Sequence, residues 1–383
     1  MRSITVGTRR STLAKTQTAQ VVKALLARRP DLQVQTLEIV TKGDRIVDVP
    51  LSEVGGKGLF ISEIEEALLR GEIDFAVHSM KDVPALLAPG LTIAAVPPRE
   101  DPRDLLISRQ GCTLATLPRG AAVGTSSLRR AAQLLHARPD LQIRALRGNI
   151  DSRLRKLVGL DAIVLAAAGL LRMGWWDEDG WRQGGNRVAG NGWRQDGDRD
   201  AGNGWRQDDG AVLTALPLAL ADMLPAVGQG ALALEARAHD EELTAVLRTL
   251  HDSDSAWQIE AERAFLATVG GSCQAPIAAY GGGSEVGAAM GGRGGRGRGR
   301  GGTATGGGAA MGGRVGHGGA VRESEHDGRL SLSGLIGSPD GRRIVRAAAR
   351  GPDAAAIGRE LAEQLLEQGG RDILEGLRTG QMG

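Results

Sequence analysis

Short apolar stretches that each end in a polar turn recur along this chain, with helical patterns between them. The clearest spans residues 73–84 (IDFAVHSMKDVP), where apolar side chains recur at every second position from Ile73 to Val77, as in a β-strand. Lys81 and Asp82 occupy the turn that follows. Alternating strands and helices predict an α/β fold, in which ligands bind outside the carboxyl ends of the strands. This turn is therefore the first candidate site, although a solvated surface pair is the simplest alternative.

Length and composition restrict the class of protein. At 383 residues the chain exceeds one average domain, so we expect two or three. A net charge of +2 and a mean hydropathy of −0.16 are typical of a water-soluble protein. We expect no secretory leader and no transmembrane helix, because no apolar run is long enough. Cys112 and Cys273 are too few for a disulfide framework, which favours a reducing cytoplasm, and no cysteine–histidine cluster has the spacing of a zinc site.

The amino terminus provides a second candidate site. Residues 3–8 predict a strand, and a helical pattern over residues 11–29 follows, with Ser11 as the expected N-cap. Arg9 lies at the turn between them, where free backbone N–H groups and the helix dipole favour an anion. A solvated Arg9 is an equally good interpretation of the sequence alone.

A glycine-rich segment precedes the next helical pattern. Residues 51–60 (LSEVGGKGLF) contain Lys57 and Phe60 but lack the spacing of a nucleotide-binding phosphate loop. We therefore expect a mobile flap over a ligand and no nucleotide site.

A second domain repeats the plan of the first. Three prolines and alternating charges at residues 97–104 predict a crossover into it, and residues 224–235 predict a buried strand that returns to the first domain. Arg129 and Arg130 fall in the first turn of a predicted helix, where positive charge is unfavourable unless the guanidiniums face a bound anion. Several arginines at strand ends together predict a polyanionic ligand held by forked hydrogen bonds. They are Arg9, Arg129, Arg130, Arg147, Arg153 and Arg172.

Two low-complexity segments interrupt this pattern. Residues 174–210 repeat the motif GWRQ and contain five of the six tryptophans. We expect a tandem-duplicated loop insertion, with a tryptophan-mediated binding surface as the alternative. Residues 281–320 are half glycine and carry five arginines against one acid, which resembles the RGG segments that bind RNA. We interpret this segment as an inert hairpin insertion.

Seven motifs in one order resemble the hydroxymethylbilane synthase family, also called porphobilinogen deaminase. They are VGGKGLF, VHSMKDVP, REDPRD, GTSSLRR, LRGN, LPAVGQGA and GSCQAPI. The resemblance runs from Ile4 to the C-terminal helical pattern, with gaps at the two insertions. Each motif alone is modest evidence, but seven in the same order leave little room for coincidence.

The resemblance implies an α/β fold. It consists of two similar βαβ domains resembling type II periplasmic binding protein lobes, plus a smaller C-terminal α/β domain. The implied bounds are residues 1–99 with 225–250 for domain 1, 100–224 for domain 2 and 251–383 for domain 3. A cleft would separate the first two domains, and the third would present the loop of Cys273 to that cleft.

The resemblance also implies a reaction. Four porphobilinogen molecules are joined head to tail into hydroxymethylbilane, ammonia is released, and a dipyrromethane cofactor held by a thioether is the primer. The motif match places its attachment at Cys273. A cytoplasmic monomer is implied, with no membrane or nucleic-acid partner and with hand-over of the product to uroporphyrinogen III synthase.

Residue roles follow by motif match. Asp82 matches the catalytic aspartate, which would stabilise the cation formed when the amine leaves. The remaining matches are Lys81, Ser127, Arg129, Arg130 and Asp82 itself for the cofactor, and Arg9, Ser11, Arg147, Arg153, Arg172, Lys57 and Phe60 for the substrate.

Two other functions are compatible with parts of the sequence. A non-catalytic carboxylate-binding protein of the bilobal solute-receptor type would share the lobes and the arginines. It would not need Asp82 or the loop cysteine Cys273, and it would normally carry a secretory signal. An RNA-binding module would use the glycine- and arginine-rich segment, and its binding would weaken steeply with salt.

Overall fold

The computed structural model describes residues 2–45, 61–109, 111–177, 180–181, 205–206, 212–270, 275–282 and 328–379. Lys57, Phe60 and Cys273 lie outside these ranges, as do most residues of the two low-complexity segments. Within the described ranges, no helix is both long enough and apolar enough to cross a membrane.

The first sheet has five strands in the spatial order β2-β1-β3-β13-β4. Their bounds are Arg2–Arg9 for β1, Leu32–Ile39 for β2, Phe75–Ser79 for β3, Leu91–Ala95 for β4 and Leu232–Arg237 for β13. Strand β1 pairs in parallel with β2 and β3, whereas β13 runs antiparallel to β3 and β4. The segment predicted to return to the first domain therefore does join its sheet.

Among the described residues, the helices that accompany this sheet are α1 (Thr12–Arg28), α2 (Lys42–Arg45), α3 (Ser62–Leu69) and α7 (Glu241–Leu247). Helix α1 begins at its predicted N-cap, because the hydroxyl of Ser11 accepts a hydrogen bond from the backbone N–H of Ala14 at 3.3 Å. Val21 and Leu25 of this helix are buried in the core of the first sheet. Their four-residue spacing places them on one helix face, which is why the helix packs flat on the strands.

The second sheet has the order β11-β12-β5-β8-β6-β7. Its strands are β5 (Asp104–Arg109), β6 (Ala122–Gly124), β7 (Gln142–Arg144), β8 (Ala162–Ala166), β11 (Trp205–Arg206) and β12 (Val212–Pro217). Strand β6 is parallel to β7 and β8, and β5 is antiparallel to β8 and β12. Its helices are α4 (Leu128–Ala137), α5 (Ile150–Arg155) and α6 (Ala167–Arg172).

The two sheets share one plan. In each, an antiparallel strand that directly follows a crossover between the sheets lies among parallel ones, β13 in the first sheet and β5 in the second. The two-residue edge strand β11 of the second sheet is also antiparallel to its neighbour β12. The two crossovers lie side by side, since the backbone N–H of Glu100 donates to the carbonyl of Gly230 at 3.1 Å. The prediction of two similar α/β lobes is confirmed. The domain boundaries at residues 99, 224 and 250 stay predictions.

A third, antiparallel sheet follows, formed by β14 (Ile277–Gly282), β15 (Leu330–Gly337) and β16 (Ile344–Gly351). It packs with helices α8 (Ser253–Val269), α9 (Ala354–Leu365) and α10 (Arg371–Arg378) around a core that includes Phe265 and Leu361. Helices α8 and α9 approach closely at Gly358, where a Cβ would lie 2.4 Å from the carbonyl oxygen of Ala261. The smaller C-terminal α/β unit is thus present as predicted.

Both predicted insertions begin later than the sequence pattern suggests. Trp175 and Trp176 are 5% and 2% exposed and belong to the core of the second lobe. Trp176 also starts the short strand β9 (Trp176–Asp177), which pairs with β10 (Gly180–Trp181). Gly281 and Gly282 belong to β14 and pair with β15, so 281 is wrong as the start of the second insertion. Composition does not reveal this difference, because burial and strand pairing depend on contacts that only the folded chain makes.

One buried ion pair joins the crossovers to the third unit. The Arg99 guanidinium donates to Glu262 on α8 through Nη1 at 2.6 Å and Nη2 at 3.3 Å. The same carboxylate accepts the backbone N–H groups of Gly228 at 2.7 Å and Gly281 at 2.8 Å. Arg99 also stacks over the ring of Tyr280, 5.0 Å from its centroid. A single carboxylate thus joins α8, β14 and the return crossover, which is the segment 218–231 between β12 and β13.

We expect Glu262→Gln to lower the free energy of unfolding by about 3–5 kcal/mol, because it leaves the buried Arg99 charge without its counter-ion. Urea unfolding followed by circular dichroism measures this change. The matched control is Glu260→Gln on the exposed face of the same helix, which should stay within about 0.5 kcal/mol of the unsubstituted protein. Equal unfolding midpoints for the two variants would contradict the role given to this ion pair.

Candidate functional site

The polar turn predicted after the third strand of the first sheet is a single 3₁₀ turn, Met80–Asp82. Met80 is 1% exposed, and its backbone N–H donates to the carbonyl of Ala231 at 3.0 Å. Gly228 packs against it with φ 73°, and a Cβ there would lie 2.5 Å from the Met80 side chain. The buried methionine anchors the turn, so Lys81 and Asp82 stay partly exposed at the end of β3.

The other first-lobe candidates lie at the same edge of the sheet. Arg9 ends β1, which runs parallel to β3, and Ser11 caps the helix that follows. Both side chains are partly exposed. Because the carboxyl ends of parallel strands meet at one edge, Arg9 and Ser11 belong to the edge that carries Lys81 and Asp82.

The second lobe presents its candidates in the same way. Ser127 follows β6 and caps α4 by accepting a hydrogen bond from the backbone N–H of Arg130 at 3.4 Å. Arg147 follows β7 and is partly exposed. Arg153 lies on α5, and its Nε donates to the carbonyl of Gly148 at 2.7 Å. All of these groups lie at or beyond the carboxyl ends of β6 and β7.

Arg172 occupies a more restricted place than the sequence suggests. It ends α6, and its guanidinium donates to the carbonyl of Gly230 in the return crossover. Its own carbonyl accepts the side-chain amide of Gln20 on α1 at 3.0 Å. Burial lowers the pKa of Arg172 to about 10, and the carboxylate of Glu100 opposes that effect. Arg172 therefore lies where the two lobes and the crossover meet.

Arg129 and Arg130 have a counter-ion within the protein, which the sequence interpretation did not foresee. That they also face a bound anion stays a prediction. Both are buried, at 4% and 6% exposure, and both pair with the carboxylate of Asp104. Asp104 is fully buried at the first residue of β5. Although burial disfavours its charge, the two guanidiniums hold its pKa well below its ordinary value.

Sequence reasoning missed Asp104 and its neighbour Gln229. The Gln229 side-chain amide donates to Asp104 Oδ1 at 2.9 Å and to the carbonyl of Pro102 at 2.7 Å. Each residue lies inside a motif that the sequence marks, REDPRD for Asp104 and LPAVGQGA for Gln229. The available signal was an acid directly before a continuous apolar strand, where an unpaired carboxylate would be unstable.

Electrostatic coupling shows that groups of the two lobes face each other. Burial and, next, the nearby Arg130 charge lower the pKa of Lys81 to about 8, and Asp82 opposes both effects. Burial likewise lowers the pKa of Arg153 to about 10, together with repulsion from Arg130 and Arg147, while Asp82 favours its charge. Charges of the two lobes thus interact, Lys81 with Arg130 and the partly exposed Asp82 with Arg153.

This arrangement suits an anionic ligand with several carboxylates. Arg129 Nε is buried and has no acceptor among the described residues, so a donor is left over beside the ion pair with Asp104. A buried N–H without an acceptor is costly, which makes a ligand carboxylate a favourable partner. Asp82 supplies the opposite charge at the same place, where it can stabilise a positive centre on the ligand.

Comparison with known proteins agrees with this chemistry. The family model described as "Porphobilinogen deaminase, dipyromethane cofactor binding domain" matches residues 4–245. The porphobilinogen deaminase of Paenibacillus macerans is 47% identical over 377 residues, covering 97% of this chain and 98% of that protein. The enzyme of the same name from Brevibacillus brevis is 44% identical over 371 residues, covering 96% of each chain.

The porphobilinogen deaminase of Bacillus subtilis is 42% identical over 377 residues, covering 98% of this chain and 96% of that protein. The identity therefore extends through both lobes and the C-terminal unit. Together with the family model, these relatives show that the chain belongs to the porphobilinogen deaminase family.

Proposed function

We propose that the chain condenses porphobilinogen into the linear tetrapyrrole hydroxymethylbilane with release of ammonia, as a transferase of tetrapyrrole biosynthesis. The observation that carries this proposal is the electrostatic interaction of Lys81 and Asp82, in the turn after β3, with Arg130 and Arg153 of the second lobe. Porphobilinogen brings two carboxylates to the cations and an amine whose departure leaves positive charge beside Asp82. Family membership supports the same reaction.

A solute receptor is a weaker explanation of the same cleft. It would use the cations, but the carboxylate of Asp82 among them would repel an anionic ligand and weaken binding. A reaction that generates a cation gives that carboxylate a purpose. The position of Asp82 therefore favours catalysis over binding alone.

Carboxylate binding is divided between two groups of residues, each of which includes side chains of both lobes. Lys81, Ser127, Arg129 and Arg130 form the group proposed to bind the dipyrromethane cofactor. The residues proposed to receive incoming substrate are Arg9, Ser11, Arg147, Arg153 and Arg172. Guanidiniums suit both tasks because their planar forks pair with carboxylates through two parallel hydrogen bonds.

We assign Asp82 to the chemical step. Its carboxylate would stabilise positive charge on the pyrrole as the amine leaves and would accept the proton released when the new bond is complete. The 3₁₀ turn holds this side chain in place through buried Met80, so little reorganisation is needed during the reaction.

The dipyrromethane cofactor fits the donors of this site, namely two arginines and a lysine, with the buried N–H of Arg129 Nε left without an acceptor among the described residues. When bound, the cofactor supplies the pyrrole end to which each new unit is joined. We propose that Cys273 holds it through a thioether. Cys273 lies in residues 271–274, outside the described ranges, between the end of α8 and the start of β14. A cytoplasmic monomer that passes its product to uroporphyrinogen III synthase completes the proposal.

Intact mass spectrometry tests the cofactor and the reaction together. We expect purified protein to exceed its sequence mass by one dipyrromethane and to release ammonia from porphobilinogen. Cys273→Ser should lose both properties, whereas the matched control Cys112→Ser, at the other cysteine of the chain, should keep them. An unmodified thiol together with unreacted porphobilinogen would overturn the proposed function.

Asp82→Asn should fold normally and lose turnover by about 10²-fold or more, because the neutral amide cannot stabilise a developing cation. Ammonia release at saturating porphobilinogen gives the rate, and the thermal unfolding midpoint shows that the fold is intact. Turnover near that of the unsubstituted protein would remove Asp82 from the mechanism.

Cofactor assembly should weaken as pH rises through about 8, because Lys81 then loses the ammonium that attracts carboxylates. The lowered pKa means that the charge is present below this pH and absent above it. The measurement is the rate at which protein expressed without porphobilinogen gains the adduct at different pH values. Lys81→Arg keeps its charge well above pH 8, so the rate of adduct formation in this variant should no longer fall near pH 8. If the rate still falls near pH 8 in Lys81→Arg, titration of Lys81 is not the cause of the decrease.

A further inference from the structure

Asp104 is fully buried, yet it is the counter-ion of two arginines that the proposed function assigns to the cofactor. We propose that Asp104 is a positioning residue, which holds Arg129 and Arg130 in the geometry that binds the cofactor carboxylates. This inference rests on the proposed function. The number of cations is then not sufficient for binding, because a buried anion must also orient them.

The hydrogen bonds of Asp104 hold both guanidiniums at once. Oδ2 accepts Nη2 of Arg129 at 2.8 Å, and Oδ1 accepts Nη2 and Nε of Arg130 at 2.7 and 3.2 Å. Oδ1 also accepts the side-chain amide of Gln229 at 2.9 Å, which ties the carboxylate to the return crossover. Neither guanidinium can rotate without breaking a charge-assisted hydrogen bond.

Backbone carbonyls hold the remaining end of each arginine. Arg129 Nη1 donates to Leu224 at 2.6 Å, and Arg130 Nη1 donates to Val164 at 2.9 Å. The two arginines are therefore oriented before any ligand binds. Binding groups that are already in place spare the ligand the cost of ordering them, which is the energetic reason for a second layer of contacts.

Charge alone and positioning predict opposite effects when Asp104 is neutralised. A buried carboxylate beside an anion site repels the anion, so its removal would tighten carboxylate binding if Asp104 only balanced charge. If Asp104 orients Arg129 and Arg130, its removal weakens binding even though the site becomes more positive. The sign of the change decides between the two roles.

The test uses full-length protein expressed without porphobilinogen and follows adduct formation by intact mass at increasing porphobilinogen concentration. Asp104→Asn removes the charge, and Asp104→Glu keeps it but moves the carboxylate by one methylene. The matched control is Asp101→Asn, which removes one charge from the same crossover, where Asp101 pairs with Arg103 at 2.7 Å.

We expect the half-saturating porphobilinogen concentration to rise about tenfold or more in both Asp104 variants, the scale found for groups that orient metal ligands. The control should match the unsubstituted protein. A merely structural defect would reduce the amount of competent protein, which lowers the limiting rate but leaves half-saturation unchanged.

Two results would overturn the positioning role. One is an unchanged or lower half-saturating concentration in Asp104→Asn. The other is normal half-saturation in Asp104→Glu, which decides the matter even if the asparagine variant fails to fold, because the glutamate keeps the buried arginines compensated. If the unsubstituted protein gains no adduct, the proposed function itself fails, and that outcome is separate from both.

Discussion

Two guanidiniums buried side by side at a helix N-terminus repel each other and the helix dipole, so they are stable only with a carboxylate buried between them. Asp104 meets this requirement. Because Asp104 is the first residue of β5, the crossover from β4 to β5 must place its carboxylate next to Arg129 and Arg130 of α4. The path of the chain between the sheets is therefore constrained by charge as well as by strand pairing.

The path of the return crossover, which leads from the second sheet back to the first, is constrained in a comparable way. Its glycines Gly228 and Gly230 take positive φ values, and each is too close to neighbouring atoms to admit a side chain. Gly228 packs on Met80 of the turn that carries Lys81 and Asp82, and the carbonyl of Gly230 accepts a hydrogen bond from the guanidinium of Arg172 in the second lobe. One short segment thus contacts the end of β3 and the end of α6, so the relative placement of the two walls depends on it.

Much of the fold and part of the candidate site could be predicted, because they depend on residues close together in the sequence. Alternating apolar residues and the N-cap Ser11 depend on neighbours a few positions away, and the arginines at strand ends follow from the strands themselves. The partners of Asp104 could not be predicted, because they are 25, 26 and 125 positions distant and only the folded chain brings them together. The same holds for Trp175, whose burial in the second core contradicts its repetitive surroundings.

The charge balance of the cleft has a consequence for the stability of the ligand-free protein. Lys81, Arg129, Arg130 and Arg153 outnumber the two carboxylates that interact with them, and the lowered pKa values of Lys81 and Arg153 reflect the cost of keeping these cations partly buried together. A ligand that brings carboxylates removes this repulsion, so it binds the folded state and stabilises it by linkage. A covalently held anionic ligand would provide that stabilisation permanently. Bound in this site as proposed, the dipyrromethane would act as a counter-ion of the fold as well as a primer, and it would offset the repulsion among these cations.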